Sequence, residues 1–594
     1  MLAAAAGGLL VDAGFAPSTA WWAPILGFAL LGLAVHGRGW KASSGLGLVF
    51  GALLFFPLLS WTNIYVGNLP WIALAAAEAV LMMPAAALMG PVSRRLPAWP
   101  VWAAAAWVAG ETLRAAFPFG GFPWGGVAFT QLDGPLLPVV AVTGEAGLAF
   151  AVALAGFALG ELLRRCWISG QASLPARAER LGRRWASQRA SGMVRRWLVL
   201  PRYLIWPVRF VGLAWRCRPA ALRPGTAAHR TSVTGRPWVS RLAALTLPAV
   251  LLVLPLLAGV ASLPAVQTGA GAPTVPIALM QGNVPEPGLE FNARRRAVLD
   301  MHAAETARLA AAVRAGTVPA PRLVLWPENS SDIDPYRNPD AAAVIDKAAR
   351  EIGVPILVGA VVGSGQPRRV YNMGIVWDPV TGPGTTYTKR HPVPFAEYIP
   401  WRSFFRLFSD KVDLIQAEFL PGHRPGNLNI AGVPVGDVIC FEIVEDDLVR
   451  DVVNGGARVL VVQTNNATFG YTDETYQQQA MSRVRAVEYG REVLIAATSG
   501  ESAVIRPDGS VQATVPLFTP GFLVPQVPLI STTTPGTVLG APVLWVLTAA
   551  CPLTLAGAVL RVRRQSAAIA DDVGSAASDS EHDDPSANGI RPMV

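Results

Sequence analysis

Long apolar runs constrain the fold of this chain more than any other feature of its sequence. Seven runs recur, at residues 20–36, 43–60, 70–90, 98–116, 134–162, 241–262 and 541–561. Most match the roughly 20 residues with which an α-helix crosses a hydrocarbon core about 30 Å thick. Only the run at 20–36 is short for a span. The pattern predicts a multi-pass membrane protein.

Composition supports this prediction and excludes several classes of protein. Charged residues make up 15% of the chain and hydrophobic residues 52%, whereas soluble domains carry about 25% charged residues. A wholly soluble protein, a disordered chain and a coiled coil are therefore excluded. Four cysteines in 594 residues exclude a disulfide-stapled scaffold. The net charge of +9 is typical of basic cytoplasmic loops, and we predict no nucleic-acid partner.

The loops between the apolar runs predict an orientation. Residues 1–15 are apolar but short, and a first span, a re-entrant piece and a signal-like stretch all remain open for them. If they form a span, there are eight, and basic and neutral loops alternate without exception. Spans one to six then occupy 1–162, span seven 241–262 and span eight 541–561. Because basic loops face the cytoplasm, residues 270–530 are expected on the extracytoplasmic side.

Two further segments stand out by their charge. Residues 163–240 hold sixteen arginines, which predicts a basic cytoplasmic loop facing anionic lipid. Within it, residues 197–215 mix aromatic, aliphatic and arginine side chains. They are interpreted either as an interfacial amphipathic helix or as part of a solvated, variable insert. Residues 567–594 are acidic and poor in apolar side chains, and a disordered tail is expected there.

The stretch from 270 to 530 has the alternating texture of an α/β domain. Strands separated by helices, with hairpins added, predict an α/β sandwich with a mixed sheet. Hairpin turns are expected at 378–382 and 507–509, where Asp, Pro and Gly suit tight turns. The predicted strands are 275–280, 322–326, 354–362, 372–377, 436–440, 458–463, 492–497 and 503–505, and the predicted helices are 293–315, 340–352, 447–454 and 475–490.

Three chemically useful residues follow or end predicted strands of this domain. Glu328 comes after a strand and a proline, Lys389 is one of only four lysines beside 45 arginines, and Cys440 is the only cysteine of the domain. Each has an ordinary alternative: a capping or surface acid, a solvated lysine, and a small buried core residue. Together they can perform nucleophilic acyl transfer, because a carboxylate can accept the thiol proton while an ammonium stabilises the oxyanion.

These residues lie in strings that resemble a known family. The Glu–Lys–Cys set is similar to the triad of the nitrilase superfamily, and the spans around it make the chain resemble bacterial apolipoprotein N-acyltransferases over nearly its whole length. The matching strings are 281–283 (QGN), 326–328 (WPE), 389–400 (KRHPVPFAEYIP), 439–442 (ICFE) and 465–470 (NNATFG), with 122–124 (FPW) and 131–135 (QLDGP) in the membrane part.

The resemblance implies a role for each residue of the triad. Glu328 would be the general base, Lys389 the oxyanion stabiliser and Cys440 the nucleophile. Glu397 and Glu442 match two further acids of the family, which orient the triad and shape its pocket. The resemblance also implies a nitrilase-like catalytic domain at 270–530. No metal site and no cofactor are expected, since the sequence shows no metal-ligand spacing and no phosphate-binding glycine loop.

Four aromatic residues are expected to bind substrate: Phe291, Phe441, Tyr398 and Phe469. The sequence departs from the family pattern at three positions. Phe441 stands where a tyrosine is frequent, and Phe291 and Thr468 stand where tryptophans are frequent. These departures leave the triad intact and place the details of substrate gating in doubt.

The implied reaction is the last step of lipoprotein maturation. A phospholipid would donate its acyl chain to Cys440 as a thioester, and the N-terminal amine of a diacylglyceryl-apolipoprotein would accept it. The expected setting is the bacterial plasma (inner) membrane, with the lipid bilayer as a partner and the protein as a monomer. The apolar loop 395–408 is hypothesised to dip into the membrane interface as a lid, the alternative being a buried loop that packs on the spans.

Three other functions stay in competition at this point. A membrane-tethered nitrilase-type C–N hydrolase acting on amides would use the same triad, with water as the acyl acceptor. A degenerate scaffold would keep the fold without the chemistry, although all three triad residues are present. A transporter would use the acids Glu78, Glu111 and Glu145 inside the spans.

Overall fold

The computed structural model describes residues 1–64, 66–190, 237–284, 295–553 and 556–557. The chain forms two compact units, one of Met1–Glu161 with Pro248–Val594 and the other of Leu162–Leu247. The predicted substrate-binding residue Phe291, the segment 197–215 and the tail 567–594 lie outside the described residues.

In the described residues of the N-terminal part, all regular secondary structure is helical. Its helices are α1 (Leu2–Asp12), α2 (Ala23–Val35), α3 (Trp40–Leu58), α4 (Asn68–Leu81), α5 (Met83–Arg95), α6 (Trp99–Ala116) and α7 (Val140–Ala190), followed by α8 (Pro237–Ser262). A further apolar helix, Pro535–Leu553, follows the α/β domain. The membrane domain of several helices is therefore confirmed.

In the residues that it describes, the structure supports fewer membrane-spanning helices than the eight that the sequence predicts. Among the described residues, five helices are long and apolar enough to cross a bilayer: Trp40–Leu58, Asn68–Arg95, Leu137–Ser169, Leu245–Ala265 and Pro535–Leu553. Helix α1 has 11 residues, which at 1.5 Å per residue gives only about 17 Å. The count of eight spans is not confirmed and stays a prediction.

The predicted loop at 163–240 stays a prediction, since residues 191–236 lie outside those that the structure describes. Helix α7 continues to Ala190, and α8 already begins at Pro237, so both ends of the predicted loop are helical. Earlier in α7, Gly144 has a φ of 72° and breaks the regular helix. A Cβ there would lie 2.7 Å from the Cα of Gly540, so glycine permits this helix to touch the helix Pro535–Leu553.

The α/β domain contains two sheets. The strands are β1 (Thr274–Gln281), β2 (Leu323–Leu325), β3 (Ile356–Gly363), β4 (Arg369–Asp378), β5 (Gly382–Thr388), β6 (Glu418–Phe419), β7 (Asn427–Ile430), β8 (Val433–Ile439), β9 (Val459–Thr464), β10 (Val493–Ala497), β11 (Ser502–Ile505), β12 (Val511–Val515), β13 (Gly521–Leu523) and β14 (Gln526–Pro528). The first sheet has the order β13–β1–β2–β3–β4–β5, with β14 paired to β1 and β6 paired to β4. The second sheet has the order β12–β11–β10–β9–β8–β7.

Alternation along the strands sorts the apolar side chains into layers. One buried cluster joins Leu325 of the first sheet to Val435 and Val461 of the second, so it fills the space between the sheets. The helices α9 (Arg295–Arg314) and α10 (Pro339–Ile352) cover the outer face of the first sheet. The mixed-sheet α/β sandwich predicted from the sequence is confirmed.

The outer face of the second sheet meets the membrane helices. After the short helix α11 (Arg402–Phe405), the chain forms α12 (Asp446–Asn454) and α13 (Glu474–Tyr489). Both pack on the second sheet, and their buried residues form one continuous cluster with those of the N-terminal helices. The α/β sandwich is therefore joined to the membrane domain by a shared core.

The two predicted hairpins are present. Asp378 pairs with Gly382 across the turn between β4 and β5, and Ile505 pairs with Val511 across the turn between β11 and β12. The eight predicted strands and four predicted helices all lie where expected, within a few residues at each end. The remaining strands are short or exposed, which explains why no apolar run marked them.

Candidate active site

The three predicted triad residues lie just after the carboxyl ends of three strands. Glu328 follows β2, Lys389 follows β5 directly, and Cys440 follows β8 directly. Strand β2 is parallel to β3, whereas β4 is antiparallel to both β3 and β5. Strands β2 and β5 therefore run in the same direction, and Glu328 and Lys389 emerge at the same edge of their sheet.

A buried ion pair joins the predicted base to the predicted lysine. Lys389 Nζ lies 3.3 Å from Glu328 Oε1 and 2.9 Å from Glu397 Oε2. Asn372 Nδ2 donates to Glu328 Oε1 at 2.7 Å and to Glu397 Oε1 at 3.1 Å. The backbone N–H of Asn465 donates to the other oxygen of Glu328 at 3.0 Å. Every oxygen of Glu328 thus has a fixed partner, which holds its side chain in one orientation.

Burial and charge shift the pKa values of this pair. Desolvation raises the pKa of Glu328, and Lys389 offsets part of that rise. Desolvation lowers the pKa of Lys389, but the carboxylates of Glu328 and Glu397 outweigh it, so its pKa lies above the ordinary value. The lysine therefore stays protonated, while the carboxylate becomes a stronger base than a solvated glutamate.

Cys440 occupies a strained turn between β8 and a 3-10 helix, Cys440–Val444. Its φ is 56°, in the left-handed region that costs a non-glycine residue about 1–3 kcal/mol. Gln478 Nε2 lies 3.7 Å from its Sγ. Burial raises the pKa of the thiol, Glu328 raises it further, and Lys389 lowers it. A thiol with a raised pKa needs a base to take its proton during attack.

Glu442 connects the lysine loop to the cysteine turn. Its carboxylate accepts the hydroxyl of Tyr387 at 2.9 Å and the backbone N–H groups of Arg390 at 2.6 Å and Ile439 at 2.7 Å. Because Arg390 follows Lys389 and Ile439 precedes Cys440, this one side chain sets the spacing of the two triad residues. Desolvation raises the pKa of Glu442, and these hydrogen bonds oppose the rise.

Aromatic side chains of the membrane domain lie against the residue after the cysteine. Phe441 stacks on Phe122 with centroids 5.6 Å apart and on Trp124 with centroids 6.1 Å apart. Trp61 packs on Trp124 at 5.1 Å and edge-on against Phe469 at 5.0 Å. We call these five residues the aromatic wall. The predicted substrate-binding residues Phe441 and Phe469 both belong to it.

The other predicted substrate-binding residues lie elsewhere. The hydroxyl of Tyr398 lies 3.4 Å from the carbonyl oxygen of Phe119, at the loop that joins α6 to the segment 122–124. Phe291 is outside the described residues. The structure therefore brings Glu328, Lys389 and Glu397 into direct contact and places Cys440 where both charges of the pair act on its thiol.

The acids that suggested a transporter have close partners. Glu78 pairs with Arg114 at 3.1 Å, and Glu111 accepts the backbone N–H of Val127 at 2.8 Å. Glu145 pairs at 2.7 Å with Arg485 of α13, which belongs to the catalytic domain and not to the helix bundle. These contacts give all three acids a structural role.

Comparison with known proteins decides the family. The model of the apolipoprotein N-acyltransferase N-terminal domain matches residues 7–158, and that of carbon–nitrogen hydrolases matches residues 278–534. An apolipoprotein N-acyltransferase of Mycolicibacterium smegmatis is 39% identical over 571 residues, which cover 94% of this chain and 85% of that protein. The chain belongs to the apolipoprotein N-acyltransferase family. The resemblance seen in the sequence motifs is confirmed.

More distant relatives agree over the same length. The apolipoprotein N-acyltransferase of Ralstonia nicotianae is 28% identical and covers 94% of this chain and 93% of its own length. That of Photobacterium profundum is 24% identical and covers 96% of both. Among solved structures, a Nesterenkonia amidase of the nitrilase superfamily is 21% identical and covers 44% of this chain and 93% of its own, with a TM-score of 0.33.

Several polar residues of the site lie outside the sequence motifs that resemble the family and were not predicted from the sequence. Asn372 begins a predicted strand, and Gln477 and Gln478 lie inside a predicted helix. The available signal was an uncharged polar side chain at an otherwise apolar position of a buried element. Among the described residues, no group of three or more His, Cys, Asp or Glu is arranged to hold a metal ion.

Proposed function

We propose that this member of the apolipoprotein N-acyltransferase family transfers a fatty acyl chain from a phospholipid to a diacylglyceryl-apolipoprotein, through a thioester on Cys440. One observation carries the proposal. Glu442 joins the turn that holds Cys440 to the loop of Lys389, whose ammonium pairs with the buried Glu328, and the next residue, Phe441, stacks on aromatic residues of the membrane domain. Such a site offers acyl-transfer chemistry beside a surface suited to lipid chains.

The first half-reaction forms the thioester. Glu328 takes the proton of the Cys440 thiol as Sγ attacks the ester carbonyl of the phospholipid. The Lys389 ammonium stabilises the oxyanion of the tetrahedral intermediate. As the intermediate collapses, the C–O bond breaks, and protonated Glu328 returns its proton to the leaving alkoxide. A lysophospholipid leaves and the acyl chain remains on sulfur.

The second half-reaction consumes the thioester. The neutral N-terminal amine of the diacylglyceryl-cysteine attacks the thioester carbonyl, and Glu328 accepts a proton from the attacking nitrogen. The C–S bond breaks, and Glu328 returns that proton to the sulfur. An amide and a free thiol result, so atoms and charge balance without a cofactor or metal. Glu397 and Glu442 act as supporting acids, Glu397 on the lysine ammonium and Glu442 on the two loops.

The setting of the reaction is part of the proposal. We place the chain in the bacterial plasma (inner) membrane with the catalytic domain on the extracytoplasmic side, because the basic loops predict a cytoplasmic location for the opposite side. The protein is proposed to act as a monomer, since the triad and the aromatic wall come from the same chain. Phe441 and Phe469 of the wall are proposed to contact the acyl chain, and Tyr398 and Phe291 are proposed as further substrate-binding residues.

The loop 395–408 is proposed to be the lid through which lipid enters. Trp401, Phe404, Leu407 and Phe408 are all exposed, with Trp401 at 71% and Phe408 at 66%. Exposed aromatic side chains favour the membrane interface over water. Replacing Trp401, Phe404 and Phe408 by serine should slow acylation by phospholipid in vesicles, and unchanged activity would contradict the lid.

A two-substrate assay tests the proposed function. The protein in lipid nanodiscs would receive a phospholipid with a tagged acyl chain and a diacylglyceryl-peptide with a free N-terminus. We expect the peptide to gain one acyl chain as an amide and parallel lines in double-reciprocal plots, the pattern of a ping-pong mechanism. Free fatty acid with an unmodified peptide would instead support the C–N hydrolase alternative. The Cys440→Ala variant should give neither product.

A further inference from the structure

A single glutamine of the catalytic domain holds two indoles of the membrane domain. Gln477 lies in α13, and its Oε1 accepts the indole N–H of Trp124 at 2.7 Å and that of Trp61 at 3.1 Å. Its Nε2 donates to the carbonyl oxygen of Leu58 at 3.2 Å. Leu58 is the last residue of α3, so its carbonyl has no partner within the helix.

These hydrogen bonds are enclosed. Gln477 is 4% exposed, Trp61 7% and Trp124 2%. The oxygen of an amide offers two lone pairs, and here both are used by indole donors, each of which has only one N–H. Removing the amide would leave two buried donors and one helix-end acceptor without their partner, a costly state in an apolar environment.

Two sets of contacts link Gln477 to the surroundings of the Cys440 thiol, one through α13 and one through the membrane domain. Its neighbour in sequence, Gln478, approaches Cys440 Sγ at 3.7 Å and accepts the hydroxyl of Thr464 at 3.0 Å. On the membrane side, Trp124 stacks on Phe441, the residue after the nucleophile. One turn of α13 therefore touches the aromatic wall with one side chain and the nucleophile with the next.

The loop of Trp124 is fixed by a second anchor. Arg114 Nη1 donates to the carbonyl oxygens of Phe122 at 2.9 Å and Trp124 at 2.6 Å, and it pairs with Glu78. That anchor lies within the membrane domain and fixes the loop to its own helices. Among the described contacts of Trp61 and Trp124, both indole N–H groups donate to the catalytic domain only through the Gln477 amide.

We propose that Gln477 is a positioning residue that aligns the aromatic wall with Cys440, so that an acyl chain lying on the wall presents its ester carbonyl to the thiol. The inference depends on the proposed function, since it needs a lipid acyl donor. The proposal predicts that loss of the Gln477 amide slows attack of Cys440 on a lipid ester. The intrinsic reactivity of the thiol should not change, because no triad residue contacts the Gln477 side chain in the described structure.

The test compares two reactions of the same cysteine. Gln477→Met keeps the length of the side chain and removes its hydrogen bonds. In nanodiscs, we expect single-turnover transfer of a tagged acyl chain from phospholipid to Cys440 to slow about tenfold, as loss of buried hydrogen bonds predicts. Alkylation of Cys440 by water-soluble iodoacetamide should stay within about twofold of wild type, since neither base nor lysine is altered.

Gln479→Met is the matched control. Gln479 lies two residues further along the same helix, is half-buried, and donates to Glu501 away from the wall. Both of its rates should equal those of wild type.

A third variant removes the donors instead of the acceptor. Trp61→Phe combined with Trp124→Phe keeps an aromatic ring at each position and loses the two indole N–H groups. Adding Gln477→Met to this pair should slow acylation by less than about twofold, because both bonds to the indoles are already gone and only the bond to the Leu58 carbonyl is lost in addition.

Each other outcome overturns the inference. Unchanged acylation in Gln477→Met would show that the alignment does not depend on this amide. An equal fall in acylation and alkylation would show general damage to the fold, and full additivity with the tryptophan variants would show that Gln477 acts by another route. A wild type that is alkylated but never acylated would refute the proposed function itself, which this design therefore distinguishes from a failure of Gln477.

Discussion

The two sides of Cys440 differ in how they are held together. On the sheet side, the buried Glu328 and Lys389 form a charge cluster with the partly buried Glu397, and ion pairs and hydrogen bonds hold it together. On the membrane side, the aromatic wall is held mainly by ring packing, with Gln477 as a polar contact to the catalytic domain. The comparison separates the chemistry from the choice of substrate.

This difference has a physical reason. An oxyanion and a proton transfer need charges fixed within a few tenths of an ångström, which buried ion pairs and hydrogen bonds provide. A lipid chain has no groups to bond, so a surface of stacked rings is sufficient to accommodate it. Variants on the sheet side should therefore abolish catalysis, whereas variants on the membrane side should change how well lipid substrates are used.

The largest effect is expected for Glu328→Gln. The amide has the same shape but cannot accept the thiol proton, and general-base catalysis contributes about 10²–10⁴-fold to rates. We expect thioester formation to slow at least about 10³-fold in single-turnover experiments with phospholipid. The thermal midpoint should also fall, since the single amide oxygen can accept only one of the hydrogen bonds from Asn372 and Asn465 and the amide nitrogen would face the other donor. A rate within tenfold of wild type would show that another group is the base.

The next effect is expected for Glu442→Gln, which affects both stability and rate. Its carboxylate accepts several backbone N–H groups, and an amide nitrogen would face some of those donors. Losing such buried bonds costs about 1–3 kcal/mol, and the shift of the loops should slow acylation about 10²-fold. Calorimetry and single-turnover rates check both. A fully active, fully stable variant would contradict the role of Glu442 in spacing the loops.

A smaller and more selective effect is expected for Phe441→Leu on the membrane side. The ring stacks on Phe122 and Trp124, and such aromatic pairs contribute about 0.5–1.5 kcal/mol beyond their burial. We expect the apparent KM for phospholipid to rise several-fold, while alkylation of Cys440 by iodoacetamide stays unchanged. Phe441→Tyr serves as the control that keeps the ring. If alkylation fell as much as acylation, the wall would not be specific to the lipid.

The smallest effect concerns the pH dependence. Burial raises the pKa of Glu328 above its ordinary value of 4.5, and Lys389 and Asn372 oppose the rise. Since the base must be ionised, kcat/KM should fall as the pH decreases through this raised pKa, above pH 4.5. Asn372→Leu removes a hydrogen bond that lowers the pKa of this carboxylate, so the acidic limb should move to higher pH.

The control for this shift is Asn429→Leu. Asn429 is an exposed residue of β7, and no hydrogen bond from it to Glu328 or Glu397 is described. Its pH profile should match that of wild type. A limb that moves lower in Asn372→Leu, or does not move, would contradict the assignment of the acidic limb to Glu328.

The sequence predicted the parts of the site that follow strands. Glu328 and Cys440 could be found because each lies at the end of an apolar run, and Lys389 because lysine is rare in this chain. The specific strings around all three residues strengthened the prediction. The sandwich and its hairpins were also predictable, since apolar alternation and turn residues are local signals. These signals say where a strand ends but not which side chains of distant segments meet there.

The remaining residues depend on contacts that no local pattern encodes. Gln477 meets Trp61 and Trp124 from more than 300 positions away, and Asn372 reaches Glu328 only because β3 and β4 pair antiparallel. The number of spans was also out of reach, since α1 and α2 are apolar yet short. Apolar composition therefore predicts membrane character better than it predicts how many helices cross.

The central claim is that Cys440 carries a lipid-derived acyl chain, and a trapping experiment tests it most directly. Wild type, Cys440→Ala and Glu328→Gln in nanodiscs would be incubated with a phospholipid whose acyl chain carries a tag, without any acceptor. We predict a label on wild type that hydroxylamine removes, no label on Cys440→Ala, and release of the label when a diacylglyceryl-peptide is added. A label that persists in Cys440→Ala, or a wild type that only releases free fatty acid, would contradict the account.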